Sequence, residues 1–197
     1  VVNNLDKKKL TQLIKILGDE KDGKLIANRI IKYRTNKSIN TAKELSSIIN
    51  DAKKNYKKNN KNLSTKTFQA IRIFVNKELS ELFLGLIAAT KLLSEGGILI
   101  IVSFHSLEDR IVKHFFKLYS DLNKNPSRYV PLKKDKFSLF SKILKKPLTP
   151  NEKEVSQNIR SRSAKLRYAF RNKNSFFYLE KFQQEFEKYL QLEEITL

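Results

Sequence analysis

Ser103, His105, Ser106 and Asp109 lie close together in the stretch GGILIIVSFHSLEDR, Gly96 to Arg110, and are the side chains of this chain best suited to chemistry. A hydroxyl and an imidazole two residues apart on an extended segment share a face, which is the arrangement of a nucleophile and its base. No third group that would orient the imidazole is evident, and the glycine-flanked turn of a nucleophile elbow is absent, which argues against a hydrolase. Ser106 with an acid three residues later is also a helix-cap signature, with Asp109 as the reciprocal partner. Ser103, His105 and Ser106 are therefore candidate catalytic residues, with capping as the competing role for Ser106. Phosphate-cradling glycine motifs do not occur, because the chain has only five glycines in scattered places.

The elements around this cluster explain why it is presented. Ile98 to Val102 is a continuous apolar, largely β-branched run, which suits a central parallel strand covered on both faces. Its carboxyl end carries the polar cluster, and in open α/β sheets ligands bind beyond that end. The following helix has Ile111, Val112, Phe115 and Tyr119 on its apolar side. Thr67 to Leu93 reads as one long helix, with Phe68, Ile71, Val75, Leu79, Leu82, Leu86, Ala89 and Leu93 recurring every three or four residues over ~40 Å. Phe137 to Leu144 reads as a strand, and Lys165 to Arg171 as another with Leu166, Tyr168 and Phe170 on one side.

Toward the amino end, Asp6 to Tyr33 forms two short helices divided by Gly18 and Gly23, and Thr41 with Glu44 opens a third that buries Leu45, Ile48 and Ile49. Lys53 to Lys66 has six lysines and no acid, so it is a solvated linker or an electrostatic clamp with Tyr56 available for stacking. From Ser175 an acidic amphipathic helix, with five Glu against two Lys, reverses the local charge.

The chain has 197 residues and a formal net charge of +20, from 40 Lys and Arg against 20 Asp and Glu. That excess points to a polyanionic partner, nucleic acid ahead of membrane, although AT-rich coding also enriches Lys, Asn and Ile. Without cysteine there is no disulfide framework, thiolate site or cysteine nucleophile, and two histidines make a protein metal site improbable. No apolar run approaches a membrane span and no signal-peptide pattern opens the chain, which leads to an expected cytoplasmic location. The start at Val1 and the lack of any Met lead to the expectation of a fragment.

Three blocks in order carry a family resemblance: TKTFQAIRIFVNKEL from Thr65 to Leu79, GGILIIVSFHSLEDRIVKHF from Gly96, and NIRSRSAKLR from Asn158 to Arg167. They resemble the signature blocks of the bacterial 16S rRNA (cytosine-N4)-methyltransferase family, RsmH or MraW, over residues 4 to 172 or so. The resemblance implies an α/β fold, the C-terminal part of a class I (Rossmann-like) S-adenosylmethionine methyltransferase with part of an inserted helical domain. Residues 1–64 then correspond to the later part of the helical substrate-recognition insertion and a basic linker, 65–172 to the C-terminal part of the methyltransferase domain, and 173–197 to the acidic tail helix.

The implied reaction is methyl transfer from S-adenosyl-L-methionine to the exocyclic N4 of a cytidine in 16S rRNA of the small ribosomal subunit. Positioning and an acceptor for the amine proton would carry most of it, without a metal. The family's cofactor-binding loops would precede Val1, so no cofactor-binding residue is assigned to this chain, which alone would be inactive. Arg72, Asn76, Lys57, Lys58, Arg110, Arg160 and Arg162 are the RNA-binding candidates. A non-catalytic basic RNA-binding module derived from that family is the alternative, and a homodimer is left open.

Overall fold

The computed structural model describes residues 1–53, 63–120 and 138–196, and the chain divides into two compact units. The first comprises Val1–Ser80 with Lys188–Leu197, and the second Glu81–Glu187.

The first unit is helical. Helices α1 (Lys7–Leu17), α2 (Gly23–Arg34), α3 (Ala42–Ala52) and α4 (Thr65–Asn76) each bury one stripe, as the spacing of their apolar residues requires. Leu10, Leu13, Ile14 and Leu17 of α1 lie in a core nearly closed to solvent, where α1 packs against α2 (Ile26, Ala27, Ile30) and α4 (Ala70, Ile73), and α3 packs against α2 and adds Ile48 and Ile49. Asp6 caps α1 by accepting from the Lys9 amide, and Thr41 with Glu44 forms the expected capping box at α3. Gly18 permits the end of α1 to approach α4: a Cβ there would lie 2.6 Å from the Lys66 carbonyl. Lys53 departs from the solvated linker expected of 53–66, since it is buried and its ammonium lies 2.6 Å from Glu20 and 3.6 Å from Asp22. Residues 54–62, including Tyr56, Lys57 and Lys58, lie outside the described residues.

The single long helix expected over Thr67 to Leu93 is two helices. Lys77 takes a left-handed conformation, φ 51, that stops α4, and α5 runs from Glu78 to Leu92. A left-handed residue closes a helix by turning its amide back to the last carbonyls, here Ile73 and Phe74. The apolar spacing bridges this break without registering it. In the first unit the opening of α5 is capped from far along the chain: Glu193, at the end of α8 (Glu180–Glu193), accepts from the Leu79 amide at 3.0 Å, and from the Ser80 amide at 2.8 Å and hydroxyl at 2.5 Å. Burial outweighs these bonds and raises the Glu193 carboxyl above its usual range.

The second unit places three antiparallel strands, β1 (Ile98–Ser103), β2 (Phe140–Ser141) and β3 (Lys165–Arg171), in the order β1-β3-β2. Helix α6 (Ser106–Leu118) lies on one face of this sheet, and α7 (Glu152–Gln157) with a 3-10 turn (Ile159–Ser163) leads into β3. Aromatic packing fills its core, where Phe83 stacks on Phe182 at 4.6 Å and Phe115 tilts against Tyr119 at 4.8 Å.

Three expectations change here. The strand expected over Phe137 to Leu144 shortens to Phe140–Ser141, because Lys142 adopts φ 46 and turns the chain out of the ladder; Phe137 itself lies outside the described residues. Among the described residues β1 has an antiparallel partner and no parallel one. Nor is β1 covered on both faces: Ile98, Ile100 and Val102 remain 46%, 57% and 50% exposed.

Candidate functional site

The carboxyl end of β1 is built by local hydrogen bonding. Ser103 is buried at the last position of the strand, and its hydroxyl donates to the Lys165 carbonyl at 3.3 Å across the ladder. Phe104 turns outward and is 54% exposed. His105, not Ser106, is the residue that caps α6. Its Nδ1 accepts from the Glu108 amide at 3.3 Å, while the Glu108 carboxylate accepts from the Phe104 amide at 2.8 Å and the His105 amide at 3.2 Å. The expected cap pair Ser106 and Asp109 is thus displaced by one residue to His105 and Glu108. An extended backbone at His105 places its ring nitrogen where a cap oxygen would sit.

His105 Nε2 also lies 3.3 Å from Glu108 Oε1, and the imidazole is nearly buried. Burial raises the Glu108 carboxyl, but the bonds from His105 and the Phe104 amide outweigh it and hold the group below its usual range. Ser106 is exposed on the first turn of α6.

Asp109 has a different partner from the one expected. Its carboxylate accepts from Arg167 Nε at 2.7 Å and from Lys165 Nζ at 3.1 Å, tying α6 to β3. Burial alone would raise this carboxyl; the two cations outweigh burial and lower it. Arg167, Ala169 and Arg171 form the covered face of β3, while Leu166, Tyr168 and Phe170 are only half-buried. Arg171 is satisfied by backbone carbonyls, Thr90 and Leu139 at 3.3 Å and Asn172 at 2.9 Å.

Pairing of Ser103 with Lys165 brings the 3-10 turn that precedes β3 to the same end of the sheet as His105. Arg160 and Arg162 are exposed on that turn around the buried Ser161, and Arg110 is exposed on α6. A further basic feature is a pocket of 170 Å³ lined by Lys113, Lys117, Lys145 and Arg167 over Phe116, Ile143 and Leu144. Arg72 and Asn76 belong to the first unit, exposed and side by side on the Glu78 carboxylate: Arg72 Nε and Nη2 donate at 2.7 and 2.9 Å and Asn76 Nδ2 at 3.2 Å. The structure therefore groups Ser103, His105, Ser106, Arg110, Arg160 and Arg162 in one unit and Arg72 with Asn76 in the other. Lys57 and Lys58 lie outside the described residues.

Glu108, Arg167 and Lys165 are the residues of this site that sequence reasoning passes over. The alternation of cations with apolar residues along KLRYAFR was the available signal, because it allows the cationic face to be the buried one.

The second unit is thus a mixed α/β unit with a polar cluster at the end of β1 and exposed cations beside it. The chain belongs to the MraW methylase family, whose family model matches residues 1–172. Similar proteins include the Ribosomal RNA small subunit methyltransferase H of Caldicellulosiruptor saccharolyticus, 43% identical over 86% of this chain and 55% of the relative. The protein of the same name from Parvibaculum lavamentivorans is 40% identical over 87% of this chain and 50% of its own length, and that of Rickettsia africae 43% over 85% and 55%. The chain thus spans about half the length of the curated relatives it matches.

Proposed function

We propose that this chain is the C-terminal portion of an S-adenosylmethionine-dependent enzyme that methylates the exocyclic N4 of a cytidine in 16S rRNA of the small ribosomal subunit, acting in the cytoplasm. Family membership over residues 1–172 carries the reading. Placement of exposed Arg160 and Arg162 at the sheet end that holds His105 supports an RNA-facing role for that end. The basic pocket beside α6 adds further cations to the same unit.

In this reading the cofactor is held by residues other than those at the end of β1. Ser103, His105 and Glu108 are engaged in the ladder and the helix cap, and no glycine-rich turn follows β1. This chain's share is structural and electrostatic: it holds the carboxyl end of β1 in shape, presents cations to phosphates and supplies one wall beside the target base. Ser103 and His105 act here by positioning, through the bonds just described, and Ser106 is the hydroxyl of the three that stands exposed.

The same engagement of side chains is what a non-catalytic basic RNA-binding module would show. Mass spectrometry of nucleosides from small-subunit rRNA separates the two. Incubation with S-adenosylmethionine and this chain joined to the remaining half of a relative yields N4-methylcytidine if the proposal holds. RNA binding that weakens steeply with salt, but without any methylated product, would establish the module instead.

A further inference from the structure

Arg167 keeps part of its guanidinium unused. Nε and Nη2 turn to Asp109, at 2.7 and 3.4 Å, whereas Nη1 makes no hydrogen bond among the described residues although the residue is only 5% exposed. A guanidinium carries five N–H donors in a rigid fork, and donors left over in a nearly buried position call for an acceptor. The same side chain lines the 170 Å³ pocket between α6 and the segment that follows β2. Two local features open this pocket. Lys142, at φ 46, turns the chain away from the β2 ladder, and the Leu144 amide then donates to the Tyr168 carbonyl at 3.1 Å, which fixes Ile143, Leu144 and Lys145 as one wall. Lys113, Phe116 and Lys117, three and four residues apart on α6, share a face and form the other.

Cations converge on this cavity without an answering acid. Lys113, Lys117 and Lys145 are exposed at its rim and make no ion pair among the described residues. Asp109 is shared between Arg167 and Lys165, so its single charge leaves cation in excess. We propose that the pocket is a phosphate-anchoring subsite for single-stranded RNA, taking one phosphodiester against Arg167 Nη1 and the lysine ammoniums, with the attached sugar or base over Phe116 and Leu144. Its volume lies below the roughly 300–1,000 Å³ of a site for a drug-sized ligand, which suits one phosphate and an attached ring and not a whole cofactor. The apolar lining favours a nucleotide over a bare inorganic ion, to which hydrocarbon side chains offer nothing. Four cations also exceed what one carboxylate of an acidic peptide would answer, while an RNA strand brings neighbouring phosphates to the rim. The subsite lies two to three turns along α6 from the His105 cap, and so gives the strand a second grip beyond Arg160 and Arg162. That the strand is ribosomal rests on the proposed function; the subsite itself rests on this geometry.

The test titrates the full 197-residue chain with a short single-stranded oligouridylate and, separately, with inorganic phosphate, following the Arg167 side-chain nitrogen resonances. The oligonucleotide should shift the guanidinium signal and the Lys113 to Lys117 amides saturably, at concentrations about tenfold or more below those at which inorganic phosphate does so. Arg167 itself stays in place, because it holds Asp109. Lys117→Gln combined with Lys145→Gln, both at exposed positions, should keep the circular dichroism of the chain, weaken oligonucleotide binding by about tenfold and make its log–log salt slope shallower by about 0.7, the value for one phosphate on a single strand. Lys24→Gln, the same change of charge on an exposed lysine of the first unit, should leave the Arg167 shift as it was. No shift at Arg167, unchanged affinity and slope in the double variant, or inorganic phosphate binding as tightly as the oligonucleotide would each overturn the proposal. Saturable Arg167 shifts without methyl transfer by the joined enzyme would retain the subsite and remove the proposed function.

Discussion

The helical unit and the sheet unit solve the same problem to different extents. In the first, Leu10, Leu13, Ile14, Leu17, Ile26 and Ile30 are fully buried by helices from the same stretch of chain, so every apolar stripe has a partner. In the second, α6 and the aromatic cluster bury one side of the sheet, while three consecutive outward residues of β1 stay about half exposed. Four short helices can close a core among themselves with local contacts. A strand pair has two faces, and among the described residues one helical layer covers only one of them. Burial in this molecule therefore follows from the number of layers available and not from the apolarity of the segment, since Ile98 to Val102 is among the most apolar stretches of the chain.

The largest effect that would sharpen this contrast concerns the covered face. Asp109→Ala removes the carboxylate from the nearly buried Arg167 guanidinium and should cost ~3 kcal/mol or more in urea unfolding. A loss below ~1 kcal/mol would mean that Lys165 and solvent govern this contact. Because the Asp109 carboxyl is lowered by its two cations, its contribution is full above the ordinary aspartate range and is lost as pH falls through the lowered folded value. Asp109→Asn should accordingly flatten the acid limb of the stability profile.

Next in size, Leu13→Ala and Ile30→Ala should each destabilise by ~2–5 kcal/mol through loss of packing in a closed core. Ile100→Ala in the lone chain should stay within ~1 kcal/mol, because its side chain is already 57% exposed. Equal losses at Leu13 and Ile100 would erase the distinction between the units.

His105→Ala should remove the α6 cap at a cost of ~0.5–2 kcal/mol, measured by thermal unfolding, and in the joined enzyme should lower methyl transfer more than cofactor affinity. The smallest effect is at Glu193. Its carboxyl is raised by burial, so the folded state holds the proton to a higher pH than the unfolded chain does. Stability should therefore fall as pH rises from the ordinary glutamate range through the raised value, and Glu193→Gln should abolish that slope. A slope that persists in the glutamine variant assigns it to another group.

What the sequence conveyed divides along the same line. Local devices were legible: the capping box of Thr41 and Glu44, the apolar stripes of α1, α2, α3 and α6, and the extents of β1 and β3 all depend on residues within a turn or two of each other. Features set from far away were not. The α5 opening is capped by Glu193, more than a hundred residues downstream, and Lys77 breaks the long helix although it is not a glycine. An imidazole served as the cap where serine is the commoner choice, which moved the pair from Ser106 and Asp109 to His105 and Glu108. The antiparallel pairing of β1 was illegible because a continuous apolar run specifies burial without specifying strand direction.

The measurement that bears most directly on the proposed function is calorimetric titration of S-adenosylmethionine into the 197-residue chain, alone and then joined to the part of a relative that lies outside the matched span. The proposed function assigns the cluster at the end of β1, engaged in its own cap and ladder, no share in holding S-adenosylmethionine. No heat of binding for the lone chain and saturable binding by the joined halves is the predicted result. Saturable binding of similar strength by the lone chain would contradict it.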